Sequence, residues 1–365
     1  MSSSEKASTK TSAAAAFYVR GSKRLTALLV TLLVFLFLSL LTLSKATLGG
    51  NGCEMGGRLR TWNEALAFST GSSSKTTFIN LNDLEASPNA KEKQEHVLIL
   101  TPLKNASPYL PRYFELLDRM TYPKHLITVA FLVSDTDDDT VDKLKEQADV
   151  FLNREHDRYH HIAIYEKDFN FELPEDKRHT FELQPLRRSY MARSRNYLLT
   201  AALREEHSWV LWLDVDLVEY PDTILEDLMS VDVDVVVPNC LRETEDNSFW
   251  GYDKNNWQET EQSLAVQKDL DPDYVLLEGY YEFLTHRALM VDMPTHLGRL
   301  NKVPLDGVGA TFTLVKSEVH REGANFPAYV YQHQVETEGF AKMAKSMGFG
   351  VYGLPGYLIY HVMNQ

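Results

Sequence analysis

Cysteine is scarce in this chain: Cys53 and Cys240 are the only two among 365 residues. Two cysteines form at most one disulfide, so the sequence excludes the disulfide-rich class of small secreted domains. A single pair does not reveal the redox compartment, and we expect both thiols to be free.

Beyond the N-terminal segment, negative charge exceeds positive charge. The formal net charge is −14, although the first 45 residues hold six Lys/Arg and a single Glu. An acidic body repels the phosphates of nucleic acids, which argues against nucleic-acid binding. An anionic ligand would instead need a local cation, either a group of Arg or Lys side chains or a metal ion.

Charge is absent altogether from Leu25 to Leu43, which also contain no glycine or proline. A helix of this length spans about 28 Å, close to the hydrocarbon thickness of a bilayer. Basic residues precede it, which favours a cytoplasmic N-terminus. A cleaved signal peptide is the alternative, but its apolar core is usually about 7–15 residues. We expect a cytoplasmic tail at 1–24 and a type II membrane anchor at 25–44.

The segment after the anchor is rich in Gly, Ser and Asn, as in GGNG at 49–52. Such a composition buries too little apolar surface to form a core, so it predicts a flexible stem at 45–95. The lumenal domain is then 96–365.

The body alternates short apolar runs with segments of helical spacing. Strands are predicted at 96–100, 126–133, 161–165, 209–213, 233–238 and 310–315, with a last strand ending at 361. Helices are predicted at 112–120, 141–150 and 189–204, and a further helix opens at 336. This alternation predicts an α/β fold, with a mainly parallel, Rossmann-like sheet covered by helices on both faces. Ligands of such sheets bind at the carboxyl ends of the strands.

The strongest chemical signal follows the strand at 209–213, which runs directly into Asp214-Val215-Asp216. Side chains two residues apart in a strand point to the same side, so one cation can meet both carboxylates. Hard oxygen ligands suit Mg²⁺ or Mn²⁺, which neutralise the charge of a nucleoside diphosphate leaving group. The alternative, a solvated turn, is disfavoured because the preceding strand is apolar and rich in tryptophan.

Polar residues also follow the first two predicted strands. Thr101, Pro102, Leu103 and Lys104 follow one of them, and Asp135 follows the other. A nucleotide docks at such strand ends, where Asp135 can accept from a base or ribose and Lys104 can meet a phosphate. Ordinary polar loops are the alternative interpretation.

Arginine is concentrated in the helix before the Asp-Val-Asp motif. Arg187 and Arg188 are followed by Arg193 and Arg195. In an acidic domain these side chains are candidate counter-charges for a diphosphate. Surface ion pairing is the alternative.

Further candidates lie near the C-terminus: Asp306, Glu336, Glu338 and His361. Asp306 precedes a strand, and the two glutamates open a helix, where acidic residues also stabilise the helix dipole without any catalytic role. The functional interpretation of the two glutamates is that they orient or deprotonate an acceptor hydroxyl. A lone histidine at a strand end is usually a satisfied or solvated residue.

These motifs, in this order, resemble the fungal Anp/Mnn/Van family of Golgi α-mannosyltransferases, the subunits of mannan polymerase complexes. The resemblance covers about residues 95–365 and rests on the following segments: TPLKN, FLVSDT, MARSRNYLL, WLDVDLVEYP, VVVPNC, WQETE, LEGYYE, LDGVG, VETEGFAKMAK and the closing IYH.

The resemblance implies a GT-A glycosyltransferase fold, GDP-mannose as donor, Mn²⁺ (or Mg²⁺) as metal and an α-1,6-linked mannan backbone as product, formed with retention. It implies that Asp214 and Asp216 bind the metal, with His361 as the third protein ligand. It further implies that Thr101 to Lys104 and Asp135 surround the GDP, and that Arg193 and Arg195 lie near the diphosphate.

The same resemblance implies an early Golgi location and assembly with paralogous mannosyltransferase subunits. A non-catalytic scaffolding subunit is therefore the competing hypothesis. The intact Asp-Val-Asp motif favours the active transferase.

Overall fold

Ten strands form the main sheet of the computed structural model, which describes residues 76–244 and 248–363. The strands are β1 (His96–Leu103), β2 (Ile127–Val133), β3 (His161–Glu166), β4 (His207–Leu213), β5 (Leu217–Glu219), β6 (Val235–Glu243), β7 (Phe249–Gly251), β8 (Trp257–Gln258), β9 (Ala288–Leu289), β10 (Val303–Pro304), β11 (Phe312–Lys316) and β12 (Val351–His361). The main sheet has the order β10-β12-β6-β11-β4-β1-β2-β3, with β5 paired to β12 and β7 to β6, while β8 and β9 form a separate pair.

The sheet is mixed, whereas the sequence predicts a mainly parallel one. Strands β3, β2, β1 and β4 are parallel, as is the pair β6–β12. Strand β11 runs antiparallel to both β4 and β6. β11 begins where β4 ends: Phe312 lies opposite Leu213, and the amide of Asp214 donates to the carbonyl of Thr311 at 3.0 Å. A strand that begins beside the end of its neighbour, with no crossover back to the neighbour's start, runs antiparallel to it, as β11 does to β4.

Helices cover both faces of the sheet, as predicted. They are α1 (Leu110–Arg119), α2 (Thr140–Leu152), α3 (Gln184–Ala202), α4 (Ile224–Ser230), α5 (Glu261–Gln267), α6 (Ser317–Arg321) and α7 (Glu336–Ser346). Alternate residues of β1 enter two separate cores: Val97 and Ile99 pack with α1, α2 and α4, and Leu98 and Leu100 pack with α3, α6 and α7. Burial on both faces explains the continuous apolar run of this strand.

The compact unit that contains the sheet begins at Thr77, before the body predicted to begin at residue 96. Within the described part of the predicted stem, Ala90 is buried in the core. The carboxylate of Glu95 accepts hydrogen bonds from the indole of Trp209 at 2.9 Å and from the amide of Ser87 at 2.9 Å. These contacts attach residues 87–95 to the sheet.

The predicted tail, the anchor at 25–44 and residues 45–75 lie outside the described residues. In the part of the chain that the structure describes, none of the helices combines the length and apolarity of a membrane span. Cys240 is a buried free thiol, as predicted, and Cys53 lies outside the described residues.

Candidate active site

The Asp-Val-Asp motif lies at the carboxyl end of β4, near the centre of the sheet. β4 is buried along its whole length, and the chain becomes partly accessible at Asp214. The side chains of Asp214 and Asp216 are 33% and 30% exposed, respectively. The two carboxylates therefore open to solvent at the end of an apolar strand, where α/β sheets bind ligands.

His361 meets Asp216 at this edge. Its Nε2 lies 3.0 Å from Oδ2 of Asp216, and its ring stacks on Tyr252 at a centroid distance of 3.7 Å. The pairing of β12 with β5 fixes this contact, because His361 lies opposite Leu217, the residue after Asp216. Burial lowers the pKa of His361, but the hydrogen bond and charge of Asp216 outweigh it and raise that pKa overall.

Arg195 approaches the motif from α3. Its side chain is buried, with Nη2 3.7 Å from Asp214 and Nε donating to Glu336 at 3.1 Å. Among the described residues its Nη1 has no hydrogen-bond partner. Glu336 thus belongs to the site through Arg195, which lies between it and Asp214. The backbone of Glu336 adopts a positive φ of 57°, a conformation that non-glycine residues adopt only rarely.

Negative charge accumulates around Asp214. Burial raises the pKa of Asp214, and the charges of Asp216 and Asp253 raise it further, against the opposing effect of Arg195. A cation bound at this edge would relieve that repulsion.

Asp253 is a site-adjacent residue that the sequence did not indicate. It is buried, accepts from the Thr311 hydroxyl at 2.8 Å and from the Asn255 amide at 3.1 Å, and has a pKa raised by burial. Gly309 lies directly against it, since a Cβ at this position would be 1.9 Å from Oδ2 of Asp253. The only sequence signal for Asp253 is thus a glycine more than fifty positions later.

The remaining predicted acids are bonded away from the motif. Glu338 is fully buried, forms an ion pair with Arg188 and accepts from the indole of Trp257 at 2.9 Å. Asp306 bonds the amide of Glu259 at 2.7 Å and forms an ion pair with Lys345. Both carboxylates hold α7 and the segment before β11 in place.

The residues predicted to bind the nucleotide lie in three different environments. Thr101 is buried, and its hydroxyl donates to the Leu213 carbonyl at 2.8 Å. Leu103 packs in the core, Pro102 is half-buried, and Lys104 is exposed, with Nζ 3.4 Å from the Phe171 carbonyl.

Asp135 connects two loops at the edge of the sheet. Its two carboxylate oxygens accept from the amides of Phe169 at 3.2 Å and Asn170 at 2.8 Å. Arg193 is exposed on α3, with its guanidinium 4.7 Å from the ring of Tyr190. The two arginines therefore have different environments: Arg195 contacts Asp214, whereas Arg193 lies over the ring of Tyr190.

A sequence model of the Anp1 family matches residues 75–330, more than half of the chain. The chain belongs to the Anp1 family. The matched range includes the Asp-Val-Asp motif and the segment of Asp253 but ends before Glu336 and His361.

Relatives of this Anp1-family chain are found in several fungi. It is 42% identical over 308 residues to the mannan polymerase II complex anp1 subunit of Schizosaccharomyces pombe, covering 81% of this chain and 72% of the relative. It is 41% identical over 293 residues to the mannan polymerase complex subunit MNN9 of Candida albicans, covering 77% and 78%. The match to the mannan polymerase II complex ANP1 subunit of Saccharomyces cerevisiae is 39% over 292 residues and spans only 58% of that protein.

Among solved structures, the chain is similar to a mannosyltransferase of Pyrobaculum calidifontis in complex with GDP-Man and Mn²⁺. The sequences are 14% identical, the TM-score is 0.43, and the match covers 78% of this chain and 60% of the other. A superposition this loose transfers no residue from one protein to the other.

Proposed function

We propose that this chain is a metal-dependent α-1,6-mannosyltransferase with a GT-A-type fold. It transfers mannose from GDP-mannose, with retention, to the mannan backbone of N-glycans or cell-wall mannan. The observation that carries the proposal is the meeting of the β4 tip and the end of β12, where His361 lies 3.0 Å from Asp216 beside Asp214. The relatives named as mannan polymerase complex subunits support the choice of sugar.

The side chains at this edge suit a divalent cation. Two carboxylates and one imidazole are donors that Mn²⁺ accepts, and Mg²⁺ binds the carboxylates well. Asp216 and His361 already converge, and the charges of Asp216 and Asp253 add to the effect of burial in raising the pKa of Asp214. Within residues 76–244 and 248–363, no three His, Cys, Asp or Glu side chains are grouped closely enough to hold a metal ion. Asp214, Asp216 and His361 are the residues that would hold the ion, which supplies charge neutralisation to the leaving diphosphate.

The chain's own cation contributes to the same task. Arg195 is held by Glu336, and its guanidinium places a positive charge 3.7 Å from Asp214, at the edge where the diphosphate would lie. Glu336 acts as a positioning residue, because its carboxylate is bonded to Arg195.

In the proposed reaction, the bond between the anomeric carbon of mannose and the β-phosphate oxygen breaks. A bond from the same carbon to an acceptor hydroxyl oxygen forms on the same face of the ring, so the α configuration is retained. The proton of that hydroxyl passes to an oxygen of the departing diphosphate. This route needs no carboxylate nucleophile and fits the engagement of Glu336, Glu338 and Asp306 with Arg195, Arg188 and Lys345.

The test is GDP release by the full-length chain in detergent, with GDP-mannose, Mn²⁺ and an α-mannoside acceptor. The double variant Asp214→Ala and Asp216→Ala is expected to lose activity while it keeps the parent's thermal unfolding. Asp269→Ala, at an exposed aspartate, is the matched control and should retain activity. Equal rates in the double variant and the parent would overturn the metal assignment.

The proposal extends to assembly and location. Relatives are named subunits of mannan polymerase complexes, so we expect this chain to assemble with paralogous subunits. We also expect an early Golgi membrane location, with the catalytic domain lumenal behind the predicted anchor at 25–44. Co-purification tests the first expectation, and protease protection of sealed vesicles tests the second. If turnover of the complex survives the double variant, the chain is the scaffolding subunit.

A further inference from the structure

A cleft of about 570 Å³ opens beside His361. β5, the end of β6, β7 and the end of β12 form its walls, and the residues that matter are Glu219, Glu243, Phe249, Tyr360 and His361. The volume lies within the range of about 300–1,000 Å³ that small-molecule sites occupy. The reaction as proposed above uses only His361 of this set.

Strand pairing builds the cleft from two acid–aromatic pairs. Tyr360 lies opposite Glu219 in the β12–β5 ladder, and Phe249 lies opposite Glu243 in the β6–β7 ladder. The rings of Phe249 and Tyr360 contact each other edge to face at 5.1 Å. The two pairs therefore form one continuous surface that ends at His361.

The side chains of this surface are held open to solvent rather than packed away. Phe249 is 52% exposed. Glu219 is fixed by Arg112 at 2.9 Å and Arg119 at 3.0 Å, which leaves its carboxylate oriented but accessible at 43% exposure. A partly exposed aromatic platform of this kind loses water-exposed apolar area when a ligand covers it.

A sugar is the ligand class that fits this combination. A pyranose ring has an apolar C–H face, which packs on an aromatic ring, and hydroxyl groups around its edge, which donate to carboxylates. A free nucleotide would bring negative charge toward Glu219 and Glu243, which disfavours it. A neutral oligosaccharide can contact both the aromatic rings and the carboxylates of the surface without that repulsion.

We infer that this cleft is the acceptor subsite, in which Phe249 and Tyr360 stack against sugar rings of a neutral α-mannoside while Glu219 and Glu243 accept hydrogen bonds from its hydroxyl groups. The inference rests on the proposed function, which makes the bound sugar an acceptor, and it adds the place where that acceptor binds. Because the cleft ends at His361, a bound oligosaccharide lies next to the carboxylates at the β4 tip.

The experiment measures binding apart from turnover. The full-length chain in detergent is titrated with α-1,6-linked mannotriose by saturation-transfer NMR, with cellotriose as the control sugar. Phe249→Ala and Tyr360→Ala are expected to weaken mannotriose binding by about tenfold each, the effect of losing one aromatic contact. Their acceptor KM should rise by a similar factor, while GDP binding and the KM for GDP-mannose stay at the parent's values.

Trp250→Ala is the matched control. Trp250 is 62% exposed and adjacent to Phe249, but strand alternation turns it to the other face of β7. It should bind mannotriose as the parent does, and thermal unfolding confirms that all three variants are folded. Parent-like binding by both Phe249→Ala and Tyr360→Ala would overturn the inference, as would a parent that does not bind mannotriose. A parent that binds mannotriose at this cleft but releases no GDP supports the subsite and contradicts the transferase activity.

Discussion

Arg195 and Glu336 form a buried ion pair, with Nε of the arginine 3.1 Å from Oε1 of the glutamate and both side chains at most 5% exposed. The pair joins α3 to the first residue of α7. It also sets the distance between the arginine and Asp214, which is 3.7 Å. A glutamate that opens a helix is usually explained by the helix dipole, but here its partner is a specific cation.

Removing Glu336 should therefore damage both stability and rate. Glu336→Ala leaves a buried guanidinium without its partner, which costs about 3–5 kcal/mol of unfolding free energy. A displaced Arg195 should also lower kcat by roughly 100-fold, the cost of an ångström-scale misplacement. Glu336→Gln keeps the accepting oxygen and should lie between the parent and the alanine variant. Urea unfolding and GDP release measure the two effects, and a parent-like Glu336→Ala would contradict the positioning role.

A second prediction concerns Glu338 and Trp257. The indole donates to the buried carboxylate at 2.9 Å, and Arg287 lies over the indole ring at 3.5 Å. Trp257→Phe removes the donor and also part of the buried indole that packs against Gly307, so we expect a loss of at least about 1–3 kcal/mol in unfolding free energy. Trp250→Phe, at an exposed position, is the control and should change stability by no more than about 0.5 kcal/mol. Equal stability of the two variants would contradict a structural role for the indole hydrogen bond.

The strands and helices were largely predictable from sequence, because each is a local pattern. β1, β2 and β4 are apolar runs buried on both faces, and α7 begins at Glu336 as predicted. The direction of β11 was not predictable, because it depends on the path of the chain before Thr311 rather than on the residues of the strand. The antiparallel ladders that β11 forms with β4 and β6 show that path.

In the candidate site, the positions of Asp214 and Asp216 were predictable from a single strand, whereas His361 was expected there only from the family resemblance and Asp253 was not expected at all. Asp214 and Asp216 follow a recognisable strand, and the terminal strand brings His361 to them. Thr101 was expected to contact the nucleotide because β1 was predicted to end at Leu100. The strand continues to Leu103, so Thr101 remains inside the sheet and bonds Leu213. Asp253 lies in a polar stretch without a periodic pattern, so nothing local singled it out.

The contact between Gly309 and Asp253 leads to a third prediction. In Gly309→Ala the new methyl group would overlap the carboxylate of Asp253, which must move away from Thr311 and Asn255. We expect a loss of about 1–3 kcal/mol in stability, as for other overpacked sites, together with reduced GDP release. Gly323→Ala is the control for activity: its surroundings are open, but its positive φ of 116° strains any side chain, so a backbone cost of about 1–3 kcal/mol is expected together with normal activity. Normal activity and stability of Gly309→Ala would show that Asp253 does not depend on this close approach.

A fourth prediction concerns pH. His320 is buried as a neutral ring, since the Trp212 indole donates to its Nε2 at 3.1 Å while its Nδ1 lies 2.8 Å from the Ala324 carbonyl. Burial lowers the pKa of His320 to about 4 from its usual 6.5. Between these values the unfolded chain binds a proton that the folded chain does not, so stability falls as the pH drops from about 6.5 to about 4.

The size of this contribution is on the order of 2–3 kcal/mol. Urea unfolding of the parent at pH 7.5 and pH 5 should show the loss, and His320→Gln, which cannot titrate, should show a smaller difference between the two pH values. His207, whose pKa burial lowers to about 3, adds a loss of the same sign and remains in both proteins. An identical pH dependence in parent and variant would contradict the assignment to His320.

The last prediction separates metal binding from folding at His361. Its ring bonds Asp216 at 3.0 Å and stacks on Tyr252, so replacing it removes both a donor nitrogen and a stacked ring. His361→Phe keeps the stacking surface and removes the nitrogen, so the variant should fold like the parent. The Mn²⁺ concentration for half-maximal GDP release should rise by at least about 10–100-fold, the loss that follows even from removing a group outside the first ligand shell. Tyr252→Leu does the reverse, removing the stacked ring and keeping the nitrogen, and should change the Mn²⁺ requirement much less. If Tyr252→Leu raises that requirement as much as His361→Phe does, His361 acts by orienting Asp216 through packing and not as a ligand.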